Sequence, residues 1–152
     1  MPSVDRDGVR FHYRTAGDED GFPVFLAHGL GGDVAQPFRL FAPPPGIHLL
    51  SFDCRGHGDT RPLGDPEKLR FTPFADNLVA VMDHLAIERA VIGGVSMGVG
   101  VALNATLRYP ACVRALILVR PAWLDGPMPE PTRRIYATIA ELIRRHGGTR
   151  GA

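Results

Sequence analysis

The sequence predicts an α/β fold in which helices cover both faces of a mostly parallel, twisted β-sheet. Short apolar runs without alternating polar residues are typical of strands buried on both faces. Helical periodicity lies between those runs, and alternating strands and helices favour parallel strands joined by crossover helices. The length of 152 residues and the hydrophobic content of 45% suit one domain with a sizeable core.

The strands are predicted from one turn signal and four apolar runs. Asp7-Gly8 lies between residues 4–5 and 9–15, and Asp-Gly between such segments favours a β-hairpin. The four runs that we interpret as buried strands are residues 24–27, 49–52, 90–93 and 115–119.

Helices are predicted between the strands and after the last one. Residues 34–41 and 97–109 form two of them, and Pro110 ends the second. Thr72-Pro73 has the pattern of an N-cap followed by proline at the first helical position. Apolar residues follow that pair at helical spacing, and a further apolar helical face is formed by Ile135, Ile139, Leu142 and Ile143.

The chain divides by composition near residue 120. Residues 121–131 contain four prolines and one glycine, which is typical of a loop or linker. We therefore predict a core over residues 1–120 and a separate segment over residues 121–152.

Charge and composition exclude several functional classes. Lys+Arg is 17 and Asp+Glu is 16, so the net charge of +1 produces no general attraction to nucleic acid or to an anionic membrane. The aliphatic run 115–119 is too short to span a bilayer, and we expect no secretory signal, since residues 1–7 contain no apolar segment. The two cysteines cannot form a disulfide framework, which favours a reducing, cytoplasmic location.

The clearest motif is Gly94-Val95-Ser96-Met97-Gly98, which follows a predicted strand and begins a predicted helix. This context is the one that a G-x-S-x-G nucleophile turn requires. A packing turn or a phosphate-binding turn is the alternative. The sequence from Gly98 lacks the third glycine of a dinucleotide fingerprint, so the serine interpretation is favoured.

Two further glycine-rich loops follow predicted strands. Residues 28–32 read His-Gly-Leu-Gly-Gly, and the amides of Leu30 and Met97 are candidates for holding an oxyanion. Residues 53–58 read Asp-Cys-Arg-Gly-His-Gly, which fits no standard zinc spacing. A pair between Asp53 and Arg55 that braces the loop is the favoured interpretation, and no metal or organic cofactor is implied.

These three motifs in register resemble those of the α/β-hydrolase superfamily, in its esterase, lipase and haloperoxidase-like branch, over about residues 3–145. The resemblance implies that Ser96 is the nucleophile and that the backbone amides of Met97 and Leu30 form the oxyanion hole. It places a candidate acid at Asp125, after the sixth strand. It also implies a small acyl substrate and identifies residues 121–152 as a linker and the beginning of a helical cap.

The family order is serine, then acid, then histidine. The usual catalytic histidine and the later strand–helix pairs are absent from this sequence, so we expect a fold truncated after the sixth strand and the start of the cap. The function expected is that of a serine hydrolase acting on a small ester, weak or inactive as this chain. The alternative is a non-catalytic module that binds a partner or ligand.

The predicted strand 115–119 is uncharged and apolar, and we expect it to lie at an edge of the sheet. Exposed apolar edges tend to pair with another chain. Self-association through this edge is therefore a further prediction.

Overall fold

Six strands form one sheet in the computed structural model, which describes residues 2–122 and 126–146. They are β1 (Ser3–Arg6), β2 (Val9–Gly17), β3 (Phe22–Ala27), β4 (Ile47–Phe52), β5 (Ala90–Val95) and β6 (Val113–Val119). Their spatial order is β1-β2-β4-β3-β5-β6. Strand β2 runs antiparallel to β1 and β4, whereas the pairs β3–β4, β3–β5 and β5–β6 are parallel. The predicted mostly parallel sheet is confirmed.

The first hairpin has the turn that its sequence predicts. Arg6 pairs with Val9, so Asp7 and Gly8 form a two-residue loop. Their φ angles are 50° and 69°, and positive φ at both central residues is what a type I′ hairpin turn requires.

The helices are α1 (Gln36–Leu40), α2 (Phe71–His84), α3 (Met97–Arg108) and α4 (Glu130–His146). Helix α1 is shorter than the predicted 34–41, with Ala35 as its N-cap, and it ends before Phe41, which is already extended ahead of three prolines. Helix α2 begins at Phe71 with Arg70 as its N-cap, so the N-cap prediction for Thr72 was wrong. The Thr72 hydroxyl instead lies 3.3 Å from Oδ1 of Asn104 on α3, a contact that the sequence does not reveal.

Apolar side chains pack on both faces of the sheet. Helices α2 and α3 cover the larger core, which includes Phe25, Leu50, Phe52, Leu78, Met82 and Val101. Phe38 of α1 packs on the opposite face with Val24, Leu26 and Leu49. Burying each such side chain stabilises the fold by about 1.5–3 kcal/mol. The α/β architecture with helices on both faces is thus confirmed.

The chain forms two compact units that divide after Ala122. The second contains α4, in which Glu130 pairs with Arg133 and Glu141 with Arg145. Exposed pairs at this spacing stabilise a helix by only about 0.3–0.5 kcal/mol each. Within the described ranges, no helix is both long and apolar enough to cross a membrane.

Candidate active site

Ser96 is the only residue between the end of β5 and the start of α3. Its φ and ψ are 52° and −108°, a conformation that side-chain-bearing residues rarely adopt. Its N–H donates to the Val119 carbonyl of β6 at 3.0 Å, and its carbonyl accepts from Val99 at 3.0 Å. The half-buried serine side chain does not cap the helix. Ser96 therefore occupies a sharp strand-to-helix turn of the kind that the motif predicts.

The glycines of the motif allow backbones to approach closely. A Cβ added at Gly94 would lie 2.2 Å from the carbonyl carbon of Gly98. A Cβ added at Gly98 would lie 2.2 Å from the carbonyl oxygen of Ala27, at the end of β3. Both distances are far below van der Waals contact, so these positions accept glycine alone without displacement of the backbone.

The loop that follows β3 lies beside the serine, as expected for two loops at the carboxyl edge of a parallel sheet. A Cβ added at Gly29 would be 3.6 Å from Cβ of Ser96 and 3.4 Å from the Val95 carbonyl oxygen. Residues 28–32 and the serine turn, which are distant in sequence, therefore meet.

Two backbone amides near this junction have no hydrogen-bond acceptor among the described residues. Met97 is the first residue of α3, so its N–H has no intrahelical acceptor. In the described part of the chain, no group accepts a hydrogen bond from the Leu30 N–H. The positive end of the α3 dipole adds to the attraction of this region for a negative charge.

His28 is fully buried and both of its ring nitrogens are used. Nδ1 donates to the Gly29 carbonyl at 2.8 Å, and Nε2 accepts from the Cys54 N–H at 3.0 Å. Burial lowers the pKa of His28, which keeps the ring neutral in this tautomer. This geometry suits a structural histidine that joins the loop after β3 to the loop after β4.

Asp53 follows β4 and is the centre of a buried network. Its Oδ1 accepts from the Val34 N–H at 2.6 Å, and its Oδ2 accepts from the Asp59 N–H at 2.8 Å and contacts Nδ1 of His12 at 3.0 Å. Gly58 is required beside it, since an added Cβ would lie 2.2 Å from the carboxylate. Asp53 thus ties together β2, the loop after β3 and the loop after β4.

The predicted pair between Asp53 and Arg55 was wrong. The Arg55 guanidinium is buried and donates to the Leu63 carbonyl at 2.9 Å, and it lies 5.4 Å from the centre of the Phe11 ring. The Asp53 carboxylate instead accepts hydrogen bonds from donors in three separate segments, namely His12, Val34 and Asp59, which only the fold brings together.

The described residues contain no group of three or more His, Cys, Asp or Glu side chains that could hold a metal ion. In the loop after β4, Nδ1 of His57 lies 3.1 Å from the Arg55 carbonyl. The His57 ring packs 4.9 Å from the His28 ring, centre to centre. The candidate acid Asp125 lies outside the described residues.

Sequence reasoning missed Gln36. Its Oε1 accepts a hydrogen bond from the Gly29 N–H at 2.7 Å, directly beside the serine turn. A glutamine at the start of a short helix matches no motif, so no signal in the sequence pointed to it.

The fold, with a serine turn beside a glycine-rich loop at the carboxyl edge of the sheet, is that of a known protein family. Residues 23–141 match the family described as the alpha/beta hydrolase fold, so the chain belongs to that family.

Particular relatives support the same family. The chain is 31% identical, over 94% of its length, to a 2-hydroxymuconate semialdehyde hydrolase of Pseudomonas sp. (strain CF600). It superposes with a TM-score of 0.76 and 28% identity on a meta-cleavage product hydrolase from Pseudomonas fluorescens IP01, covering 90% of this chain and 51% of that one. A carboxylesterase structure from Nitrososphaera gargenis matches with a TM-score of 0.77 at 21% identity, over 96% of this chain and 54% of that one, which shows the fold alone. The chain spans about half the length of the curated relatives it matches, 53% for the first of these.

Proposed function

We propose that Ser96 is the nucleophile of a serine hydrolase that acts on a small ester or similar acyl substrate. The observation that carries this proposal is the φ of 52° at Ser96, in a turn where Gly94 and Gly98 admit no side chain. Strain of this kind costs about 1–3 kcal/mol and persists only where the surrounding structure imposes it. Membership of a family of hydrolases supports the same proposal.

The proposed reaction begins when Oγ of Ser96 attacks the acyl carbon of an ester. A bond from Oγ to carbon forms, and the carbonyl oxygen becomes an oxyanion that the amides of Met97 and Leu30 stabilise. As Oγ bonds to carbon, its hydroxyl proton passes to solvent or to an added base. The bond from carbon to the leaving alkoxide then breaks, and the alkoxide takes up a proton from the same source. Water attacks the acyl-serine to release the acid and to restore the hydroxyl.

This chain is proposed to carry out the first step slowly. Among the described residues, no side chain hydrogen-bonds to the Ser96 hydroxyl, and a serine without an adjacent base is a poor nucleophile near neutral pH. The role of Asp125 as the acid remains a proposal from the family resemblance. An added base should therefore increase the reactivity of Ser96.

Labelling with a fluorophosphonate probe tests the proposed nucleophile. We expect slow phosphonylation of the folded chain at Ser96, accelerated by added imidazole and located by mass spectrometry of the peptide. Ser96→Ala should abolish the label. Ser51→Ala is the matched control and should keep it, because Ser51 is buried in β4. Labelling that is equal for Ser96 and for serines of the heat-unfolded chain, with imidazole present, would refute the proposal.

A second candidate is hydrolysis of a carbon–carbon bond on the same scaffold. The similarity to a meta-cleavage product hydrolase, at 28% identity, favours it. Comparing turnover of simple esters with turnover of a meta-cleavage product distinguishes the two, since fold by itself does not determine chemistry.

The segment 121–152 is proposed to be a linker and the beginning of a helical cap. Helix α4 supports this proposal, since Ile135, Ile139 and Leu142 are at least 46% exposed in a helix flanked by arginines. A cytoplasmic location is likewise a proposal, and it rests on the two unpaired cysteines Cys54 and Cys112.

Self-association is proposed at the outer edge of β6. Val119 accepts from Ser96, so its backbone faces β5, and the alternate residues Leu116 and Leu118 direct their N–H and C=O groups away from the sheet. Residues 116–119 are 36–42% exposed. Unpaired backbone groups beside apolar side chains favour pairing with β6 of a second copy.

Sedimentation velocity tests whether the chain self-associates through the edge of β6. We expect the wild-type chain to form a concentration-dependent dimer and Leu118→Lys to shift it to monomer, since lysine on an edge strand opposes strand pairing. Leu107→Lys is the control, because Leu107 is 82% exposed and belongs to helix α3 instead of the edge strand. A wild-type chain that stays monomeric at all concentrations would contradict self-association.

A further inference from the structure

Gly29 uses both of its backbone polar groups within the protein. Its N–H donates to Oε1 of Gln36 at 2.7 Å. Its carbonyl accepts from Nδ1 of His28 at 2.8 Å and from the Gly32 N–H at 2.9 Å. Gly29, the residue of this loop that lies against Ser96, is thus held by hydrogen bonds to both its N–H and its carbonyl group.

The two ends of the loop are anchored by side chains from different elements. Gln36 is the first residue of α1 and holds Gly29, whereas Asp53 follows β4 and holds the Val34 N–H at 2.6 Å. The contact with Gln36 is close, since a Cβ added at Gly32 would lie 3.1 Å from Oε1 of Gln36. The path of the backbone between Gly29 and Val34 is therefore determined by hydrogen bonds at each end.

We propose that Gln36 is a positioning residue that selects the oxyanion donor of this loop. By accepting from Gly29, it removes that amide from the reaction and orients the next one, at Leu30, towards Ser96. Leu30 is suited to this role because its N–H has no acceptor in the described residues. The inference rests on the proposed function of Ser96, and it assigns to Gln36 no direct contact with the substrate.

Precise placement of such a donor has a large kinetic effect. Removing one oxyanion donor reduces kcat by about 10²- to 10³-fold. A donor that is retained but displaced loses part of that effect, so about a tenfold to 100-fold reduction is expected when the loop loosens.

Two substitutions of Gln36 separate the effect of its hydrogen bond to Gly29 from the effect of its side-chain volume. Gln36→Met keeps a similar length but removes the acceptor, whereas Gln36→Glu keeps an oxygen that can accept from Gly29. Arg39→Met is the control, because Arg39 lies on the same helix and contacts Asp33 at the surface. Amide hydrogen exchange of Gly29 and the imidazole-assisted phosphonylation rate at Ser96 are measured on each variant.

We expect Gln36→Met to accelerate exchange at Gly29 by about tenfold or more and to slow phosphonylation by about tenfold to 100-fold. Exchange of Leu50, in the core, should not change. Gln36→Glu should restore the protection of Gly29, and Arg39→Met should resemble the wild type in both measurements.

Two results would overturn the inference. One is protection of Gly29 that survives Gln36→Met, which would show that Gln36 does not hold the loop. The other is loss of that protection with no change in phosphonylation, which would show that the held loop does not position a donor. An unlabelled wild-type chain would instead refute the proposed nucleophile, and the exchange data would still decide whether Gln36 holds Gly29.

Discussion

Gly98→Ala is expected to destabilise the protein by about 3 kcal/mol, at the upper end of the range for overpacking. The added Cβ would lie 2.2 Å from the carbonyl oxygen and 2.7 Å from the carbonyl carbon of Ala27, and 2.9 Å from the carbonyl oxygen of His28. All three are backbone atoms, two of them in the last residue of β3 and one in the residue after it, so no side-chain rotation can relieve the clash. Relief requires α3 to move away from the sheet, which separates the serine turn from the loop at residues 28–32.

Urea denaturation of the wild type and of Gly98→Ala measures this loss of stability as a lower urea midpoint with an unchanged slope. Gly126→Ala is the control, because a Cβ at Gly126 meets nothing within 4 Å and its φ is not in the left-handed region. Gly8 is unsuitable as a control even though its surroundings are open, since its φ of 69° would strain an alanine. A Gly98→Ala protein as stable as the Gly126→Ala protein would show that the helix and the strand are not in the close contact described.

Asp53→Ala is expected to destabilise the protein by about 4 kcal/mol. Three donors lose their acceptor at once, namely the Val34 N–H, the Asp59 N–H and Nδ1 of His12. A buried donor left without a partner costs about 1–3 kcal/mol. Asp53 and His12 are at most 4% exposed, so water does not readily replace the carboxylate.

Asp53→Asn separates the hydrogen bonds from the volume of the side chain. Asparagine keeps one acceptor oxygen and replaces the other with a donor, so we expect a loss of stability smaller than that of alanine. Asp20→Ala is the control and should change stability by less than about 0.5 kcal/mol, because Asp20 is exposed. Equal losses for the alanine and asparagine forms, in thermal or urea unfolding, would contradict a role for the two carboxylate oxygens as separate acceptors.

Local patterns predicted the sheet because strands and tight turns depend on residues near one another in sequence. Asp7-Gly8 specified a hairpin turn, since both residues adopt positive φ at low cost. The apolar run at residues 115–119 was likewise predicted as a strand and lies at the edge of the sheet. The start of α2 was misplaced, because the Thr72-Pro73 pattern also fits the interior of a first helical turn, where proline removes no hydrogen bond.

The sequence by itself determined the family, the succession of strands and helices along the chain, and the position of Ser96 between a strand and a helix. Only the tertiary structure decided which polar groups pair, as Asp53 shows by contacting His12, 41 residues away, instead of its neighbour Arg55. Gln36 and Gly29 are another such pair. A polar side chain has many possible partners of similar chemistry, and the path of the folded backbone selects among them by bringing one within hydrogen-bonding distance.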